Sequence, residues 1–313
     1  LSYNQNAADS HLRSQLWKQD TAGKYDVVEK KSTGANGGYV TRAKWCAQSK
    51  GFDFYITVPS DVLQCDRLLF PKPVLKIKLL RENDEFVVLS KTETLNPKVN
   101  IKYLKMYASY VKISESLVKK HQALFNKYPA IYPITRTTMK NFHLTTGETS
   151  RYFSNIFMGQ IPKSLVIGLV SDEAANGSVT RNPYNFHHYK IKQAFIKLNG
   201  EIIPADPWTP DFENGRYMRE YMELHRNIGI DSNEDHGSLV SVDQFAGGSY
   251  FMAWDLTGHK CNLLHRHLPT TGNLDLSVIF NEQLPENVRV IVYATSDAQI
   301  ELSKNNGVVV KYF

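Results

Sequence analysis

The run Leu165-Val-Ile-Gly-Leu-Val170 is the stretch of this sequence that decides its fold class. It is a continuous apolar run with turn-forming residues around it, which is typical of a strand. Further short apolar segments follow, separated by Gly, Pro, Asn and Asp. Together they predict an antiparallel β pattern, with strands over 139–145, 165–170, 189–203, 249–256, 273–280, 287–295 and 307–312.

The segment 189–203 carries two local signals. Its apolar phase changes between Ile191 and Ala194, and a change of one residue within a strand predicts a β-bulge. The dipeptide Asn199-Gly200 then predicts a tight hairpin turn. Two paired strands are therefore expected around this turn.

One helix is predicted among these strands, over 215–225. It places Tyr217 over Tyr221 and Met218 over Met222, a stripe that favours a core face. Many short strands with one helix in a long connection suit a β-sandwich, of which the jelly roll is a leading member. On the other side of the helix, i,i+4 pairs are expected between Arg216 and Glu220 and between Arg219 and Glu223.

The first half of the chain has a more mixed pattern. Ala8, Leu12 and Leu16 predict a helix over 4–19. Alternating segments near 52–56, 75–79 and 99–113 predict half-buried strands, and a short helix is expected with Ser114 as its cap. Pro129 and Pro133 mark 114–134 as a candidate linker.

Length and composition place the chain among globular proteins. Its 313 residues allow about two domains, and 42% hydrophobic residues can fill a core. No apolar run reaches the ~18 residues of a membrane-spanning helix, and no signal peptide is recognisable. Cys46, Cys65 and Cys261 are an odd number without CxxC spacing, which favours a reducing compartment. The first residue, Leu1, stands in a predicted helix, so a preceding segment is expected.

The net charge of +6 is unevenly distributed. Residues 1–130 hold 21 basic and 12 acidic side chains, a difference of +9, whereas 131–313 hold 16 and 19, a difference of −3. The basic half favours either a lysine-rich solvated surface or contact with a polyanion such as nucleic acid. The asymmetry suggests two domains with different neighbours.

Common catalytic signatures are missing from the sequence. It contains no GxxxxGK[ST], no strand-to-helix GxGxxG, no HExxH and no GxSxG, so no enzyme activity, catalytic residue or cofactor is predicted. The densest potential metal ligands are His259, Cys261, His265 and His267. His265 and His267 could share a zinc ion, but a polar loop is the favoured interpretation, with a pH-responsive subunit contact as a further alternative.

Three other polar groups in the sequence are candidates for chemistry or modification. Asp206, Asp211 and Glu213 could act as a general acid–base pair, but they directly precede the predicted helix, which favours capping. His187 and His188 are adjacent and should point to opposite faces, so they do not form a chelating pair. The sequon that begins at Asn176 is expected to be unmodified.

A set of segments distributed over nearly the whole chain resembles one protein family. In order and spacing they are similar to the hexon-like major capsid protein of Maverick/Polinton elements and adintoviruses, although a histidine cluster stands where that family has an acidic, Gly-rich loop. The segments are 14–23, Gln160-Ile-Pro-Lys-Ser-Leu-Val-Ile-Gly-Leu-Val170, Asn182-Pro-Tyr-Asn-Phe-His-His-Tyr189, Pro210-Asp-Phe-Glu-Asn-Gly-Arg-Tyr-Met-Arg-Glu-Tyr-Met222, 250–257, 271–276 and 287–294.

The resemblance implies a double jelly roll whose first roll is incomplete here. Residues 1–113 would be the carboxy-terminal part of the first roll, 114–134 the linker and 135–313 the second roll. It also implies a homotrimer with a pseudo-hexagonal outline that tiles an icosahedral shell around double-stranded DNA, with a penton-type minor capsid partner. The implied location is the virion capsid, after assembly inside the host, in the nucleus. The family has no catalytic residues to carry over.

Several aromatic and acidic residues near the predicted helix are candidate structural or interface residues. The alternative is a soluble β-sandwich module that binds carbohydrate or another ligand, stacking it on Trp208, Tyr217 or Trp254. A third hypothesis is a metal-dependent hydrolase with its metal at His265 and His267. The candidate structural and interface residues are Trp208, Asp211, Phe212, Glu213, Tyr217 and Tyr221.

Overall fold

The second half of the chain is built from strands in the computed structural model, which describes residues 1, 3–29, 34–65, 67–70, 74–230, 237–257, 270–303 and 307–312. All strands in these described ranges start at or after Ala130. They are β1 (Ala130–Leu144), β2 (Ser150–Gln160), β3 (Ser164–Ser171), β4 (Ile191–Leu198), β5 (Glu201–Trp208), β6 (Phe251–Asp255), β7 (Thr271–Phe280), β8 (Val288–Ser303) and β9 (Gly307–Tyr312).

The helices are short and connect or flank these strands. Two 3₁₀ segments, His11–Gln15 and Ala47–Ser49, add to them. The α-helices are α1 (Gln5–Asp9), α2 (Gly37–Trp45), α3 (Asp61–Gln64), α4 (Asp84–Val87), α5 (Glu115–Phe125), α6 (Asp172–Asn176), α7 (Met218–Asn227) and α8 (Val242–Ala246).

The strands form two antiparallel sheets. One sheet has the order β1-β8-β3-β6, with β9 also paired to β8, and the other has the order β2-β7-β4-β5. Strands one to eight therefore pass between the sheets in the pattern of an eight-stranded jelly roll. The predicted class, mainly β with antiparallel sheets and short inserted helices, is confirmed.

The central strand β3 shows why the deciding run is apolar throughout. Leu165, Ile167 and Leu169 are fully buried in the core between the sheets. The opposite face of β3 is also covered, because a Cβ on Gly168 would lie 2.6 Å from the ring of Phe186. A strand covered on both faces has no reason to alternate.

The bulge and hairpin predictions in 189–203 are confirmed. The register of β4 shifts between Ile191 and Gln193 against β7, and between Ala194 and Ile196 against β5. Asn199 and Gly200 both have positive φ, 52° and 91°, as a two-residue hairpin turn of this type requires.

The strand predictions of the second half match observed strands, but β2 was not predicted. Its residues Ser150–Gln160 pair with β7 in two blocks, with a register break between Phe153 and Phe157. The break disturbs the two-residue alternation on which a sequence-based prediction depends.

In the first half, the strand predictions near 52–56, 75–79 and 99–113 are wrong for the described structure. These segments lie outside both sheets, and their apolar side chains are largely exposed. Alternation predicts a face that can be buried, but a strand also needs a hydrogen-bonded neighbour.

The helix predictions of the first half fare better. Helix α5 begins after Ser114, as expected, although the Ser114 side chain makes no capping bond. The helix expected over 4–19 is divided into α1 and a 3₁₀ turn, because Ser10 leaves helical geometry. The division into 1–113, 114–134 and 135–313 stays a prediction, and β1 begins inside the predicted linker.

Candidate functional site

An aromatic cluster holds the long connection between β5 and α7 against the sandwich. Phe212 is at its centre. Its ring stacks on those of His188 and Tyr217, with 3.8 Å and 4.9 Å between ring centroids, and meets the Tyr250 ring edge-on at a centroid distance of 5.3 Å. Phe245 is fully buried beside these rings. Stacked and edge-to-face aromatic pairs stabilise beyond their buried area, so this cluster fixes the 209–217 loop.

Trp208 and Trp254 are core residues. Their rings stack at 4.4 Å, and both side chains are buried. The indole nitrogen of Trp254 donates to the Ile203 carbonyl at 3.2 Å, while that of Trp208 is buried with no described partner. Neither ring is exposed as a platform for a sugar, which removes two of the three stacking residues of the binding-module alternative.

Helix α7 buries the tyrosines of the predicted core stripe but not its methionines. Tyr217 and Tyr221 pack against the core cluster, but Met218 and Met222 are about half exposed. Glu220 is buried instead, and its carboxylate accepts a hydrogen bond from the Thr209 backbone N–H at 3.1 Å.

The predicted i,i+4 pairs of α7 are therefore wrong. Arg216 pairs with Asp211 at 2.9 Å, and Arg219 pairs with Asp206 at 2.6 Å. Asp211 lies on the loop that the aromatic cluster holds close to the helix, and Asp206 lies on β5. A carboxylate from outside the helix thus replaces the helix neighbour as the partner of each arginine.

The acidic residues before α7 are separate and do not cap it. No side chain caps the amino end of this helix, so the capping interpretation is wrong. Asp211 accepts hydrogen bonds from the backbone and side chain of Asn214, and these, together with Arg216, lower the pKa of its carboxyl. Glu213 pairs with Lys190 at 3.0 Å. Each carboxylate neutralises a local cation, and the structure does not bring the three together as an acid–base pair.

The two adjacent histidines do face opposite sides. His187 lies 4.0 Å from the Asp26 carboxylate, whereas His188 stacks on Phe212. Nδ1 of His188 accepts a hydrogen bond from the Lys190 backbone N–H at 3.0 Å. Burial lowers the pKa of both imidazoles, that of His188 to about 4, with the neighbouring charges of His187 and Lys190 acting in the same direction.

A segment of the first half, residues 19–26, is bound to the second half, and we call it the strap. The Gly23 N–H donates to the Gly247 carbonyl at 2.6 Å, and the Gln19 side chain donates to the Leu239 carbonyl at 2.6 Å. The buried Tyr25 hydroxyl bonds with Gln244 and, at 2.6 Å, with Ser249. The strap thus lies along the 239–249 segment.

Two strap carboxylates extend this contact to the 182–185 turn. Asp26 accepts from the Asn182 backbone N–H and from the Asn185 side chain, both at 2.6 Å. Asp20 accepts from the Asn182 side chain at 3.1 Å and pairs with Arg42 at 2.7 Å. The sequence does not predict this network, since its bonds to the 182–185 turn join residues more than 150 positions apart. The only usable signal was the Asn182-Pro-Tyr-Asn185 turn.

An open polar pocket of about 310 Å³ lies beside α6. Its carboxylates have cationic partners: Asp172 pairs with Arg289 at 2.7 Å, Glu286 with Arg181 at 2.7 Å, and Glu173 also with Arg181 at 3.3 Å. Each of these three carboxylates therefore already has a cationic partner. The lining residues are Ser171, Asp172, Glu173, Asn176, Glu286 and Asn287.

The metal candidates His259, Cys261, His265 and His267 lie outside the described residues. Within the residues that are described, no group of three or more His, Cys, Asp or Glu side chains is placed to hold a metal ion. A search of the same residues finds no helix with the length and apolar character needed to cross a membrane.

Comparisons with known proteins give limited overlap. No family model matches the chain. Over 170 residues it is 27% identical to an uncharacterised protein of Caenorhabditis elegans, F54H12.2, and the match covers 53% of this chain and 40% of that protein.

Solved structures with some likeness come from virus capsids. The PBCV-1 capsid model has a TM-score of 0.37 and 13% identity over 62% of this chain and 54% of that one. The Sputnik virophage structure has a TM-score of 0.36 and 12% identity over 59% and 39%. The mavirus major capsid protein has a TM-score of 0.31 and 6% identity over 59% and 42%.

Proposed function

We propose that this chain is a viral or virus-like major capsid protein. The observation that carries the proposal is the eight-stranded jelly roll of the second half, whose two sheets close around one buried core. The segments that resemble the hexon-like family have defined roles in it. The segment 160–170 contains all of β3 except Ser171. The segment 182–189 covers β3 and binds the strap, and the segment 210–222 contributes Phe212 and Tyr217 to the aromatic cluster. The resemblance therefore involves residues that shape the roll.

The proposed assembly is a homotrimer of double jelly rolls. Residues 1–113, which form no strand in their described ranges, would contribute to a first roll, with 114–134 as the linker and 135–313 as the second roll. Two similar sandwiches per chain give a three-fold trimer a nearly six-fold outline, which suits the tiling of an icosahedral face through repeated contacts. A penton-type protein would close the vertices, and assembly would take place in the host nucleus.

The trimer contacts are proposed to use the loop that the aromatic cluster fixes. Phe212, Tyr217 and Tyr221 hold this loop from within, as does the core residue Trp208 at its start, so these residues act as anchors. Asp211 and Glu213 lie on its outer side in ion pairs. A rigid, polar loop is suited to a repeated contact because little side-chain entropy remains to be lost on binding.

The solution mass tests this proposal directly. We expect the full chain at micromolar concentration to form a trimer by light scattering, with a hexagonal outline in negative stain. A protein that remains monomeric as its concentration rises would contradict the capsid function.

A further inference from the structure

Strand β9 has one edge that no described element covers. Residues Gly307–Tyr312 pair with β8 on one side, from Ala298 to Ser303. Within the described ranges, β8 is the only strand with which β9 makes main-chain pairs. All six residues are exposed, with Val308 57% exposed. The other side of β9 therefore presents a row of backbone donors and acceptors beside consecutive valines.

The other sheet edges are guarded. β5 contains Pro204 and Pro207, which lack an N–H donor. β2 is interrupted by its register break, where Asn155 has a φ of 53°, and by Gly159 with a φ of 88°. Bulges and prolines at edges are the devices by which proteins prevent edge-to-edge pairing.

The first part of β1 and the middle of β6 receive hydrogen bonds from outside the first sheet. On β1, Arg67 donates to the Ile131 carbonyl at 2.6 Å, and the Thr135 N–H donates to the Asp61 carboxylate. On β6, the Asn227 side chain donates to the Ala253 carbonyl at 2.8 Å. Among the described residues, no side-chain hydrogen bond reaches the β9 backbone, and its one residue with positive φ, Gly307 at 65°, stands at its first position.

Contacts within its own sheet also hold β9 in place. Lys311 pairs with Glu301 on β8 at 2.8 Å, and Arg136 on β1 lies 4.5 Å from the centre of the Tyr312 ring. These contacts fix the strand from its own sheet and leave its outer edge open. A strand that is ordered before binding loses less entropy when a partner adds to it.

We propose that the open edge of β9 pairs with β9 of a second copy of this chain, antiparallel and about a two-fold axis. In that pairing Val309 faces its own copy, Val308 faces Val310 and Lys311 faces Gly307. The single charge of the strand, already paired with Glu301, thus meets no like charge. Isologous two-fold contacts are the commonest way in which identical chains associate. This inference goes beyond the capsid function and does not depend on it.

The test uses sedimentation velocity of the full chain over a range of concentrations. The parent protein is expected to show an association that doubles the mass of its smallest species. Val309→Lys and Val309→Glu each place like charges opposite one another and should raise the dissociation constant of this step at least about tenfold. An equimolar mixture of the two variants should restore association, because opposite charges then face each other.

The control is Met158→Lys, which adds the same charge at an exposed position on another strand and should leave the step unchanged. Circular dichroism and urea unfolding verify that each variant is folded. The proposal is overturned if the parent shows no doubling, if both charged variants associate like the parent, or if the mixture fails to recover, since the partner is then not β9.

Discussion

At the scale of single residues, Gly248 shows how closely the strap approaches the second half. It has a φ of 121°, and a Cβ there would lie 2.6 Å from the Tyr25 ring and 2.7 Å from the Asn185 side-chain oxygen. Both neighbours are held by the hydrogen bonds of the strap, so neither can move without breaking one. Glycine is therefore required for space as well as for backbone conformation.

Gly248→Ala is expected to destabilise the protein by about 3 kcal/mol, the sum of positive-φ strain and the clash with Tyr25. Urea unfolding of the full chain measures this change in the free energy of unfolding. The matched control is Gly215→Ala, which also has positive φ, 69°, but has open space around its Cβ. It should cost about 1 kcal/mol. Equal losses in the two variants would contradict the close packing of the strap.

His188 predicts a pH dependence of stability. Its pKa is about 4 in the folded protein against an ordinary value of 6.5, because the ring is buried against Phe212. The folded state thus favours the neutral imidazole, and the unfolded state binds the proton more readily. The stability that the neutral imidazole gives the folded state is fully present above pH 6.5 and is lost as the pH falls toward 4.

The expected loss is about 2 kcal/mol over this range, allowing for the exposed part of the ring. His188→Phe keeps the stacking and removes the titration, so its free energy of unfolding should fall less steeply between pH 6.5 and 4.5. An exposed histidine on α5, His121→Gln, serves as the control and should follow the parent protein. If the free energy of unfolding of His188→Phe falls with pH as steeply as that of the parent protein, His188 is not the source of the pH dependence.

At the scale of elements, the strap joins the two halves of the chain through polar bonds. Tyr25→Phe removes the hydroxyl that bonds Gln244 and Ser249 and leaves these groups without that partner. Losing a buried partner costs about 1–3 kcal/mol. We expect faster amide hydrogen exchange in residues 19–26, with the rates in β8 unchanged. Tyr3→Phe, at an exposed tyrosine, should change neither region, and equal acceleration in both would indicate global unfolding instead.

The elements also show which parts of the fold a sequence can predict. Strand β3 and the Asn199-Gly200 turn were predictable because their signals lie within a few neighbouring residues. The burial of Glu220 on α7 was not, because it depends on the distant Thr209 backbone N–H. The partners of Arg216 and Arg219 were not predictable either, because both are carboxylates outside the helix. Contacts between distant segments override the local pattern in such cases.

The candidate site was predictable only in part. Tyr217 and Tyr221 were identified from helical spacing and Phe212 from its place beside prolines, and they do pack together around Phe245. His188, Phe245 and Tyr250 were not identified as members of the cluster. That Trp208 stacks on Trp254 could not be read from the sequence, since they are brought together from β5 and β6 by the crossing of the two sheets. The strap contacts were missed for the same reason.

At the scale of the whole molecule, the charge difference between the halves bears on the contact with double-stranded DNA that the sequence predicts as one of two alternatives. The stretch 94–114 contains four lysines and no acidic residue, and all four lysines are exposed. Exposed lysines bind a polyanion by releasing its counterions, which makes affinity fall with salt in proportion to the number of phosphates contacted. If this half faces packaged double-stranded DNA, its lysines should set the salt dependence.

Lys102→Gln combined with Lys105→Gln is expected to lower the slope of log affinity against log salt by about two, since each lysine contributes close to one phosphate contact. The measurement is fluorescence anisotropy with a short DNA duplex at several salt concentrations. The control removes two positive charges from the second half, Lys192→Gln with Arg226→Gln, and should leave the slope near the parental value. If both double variants lower the slope equally, the contact depends on net charge alone. If DNA retention is independent of salt, lysine–phosphate contacts do not hold it, and the basic half is a solvated surface.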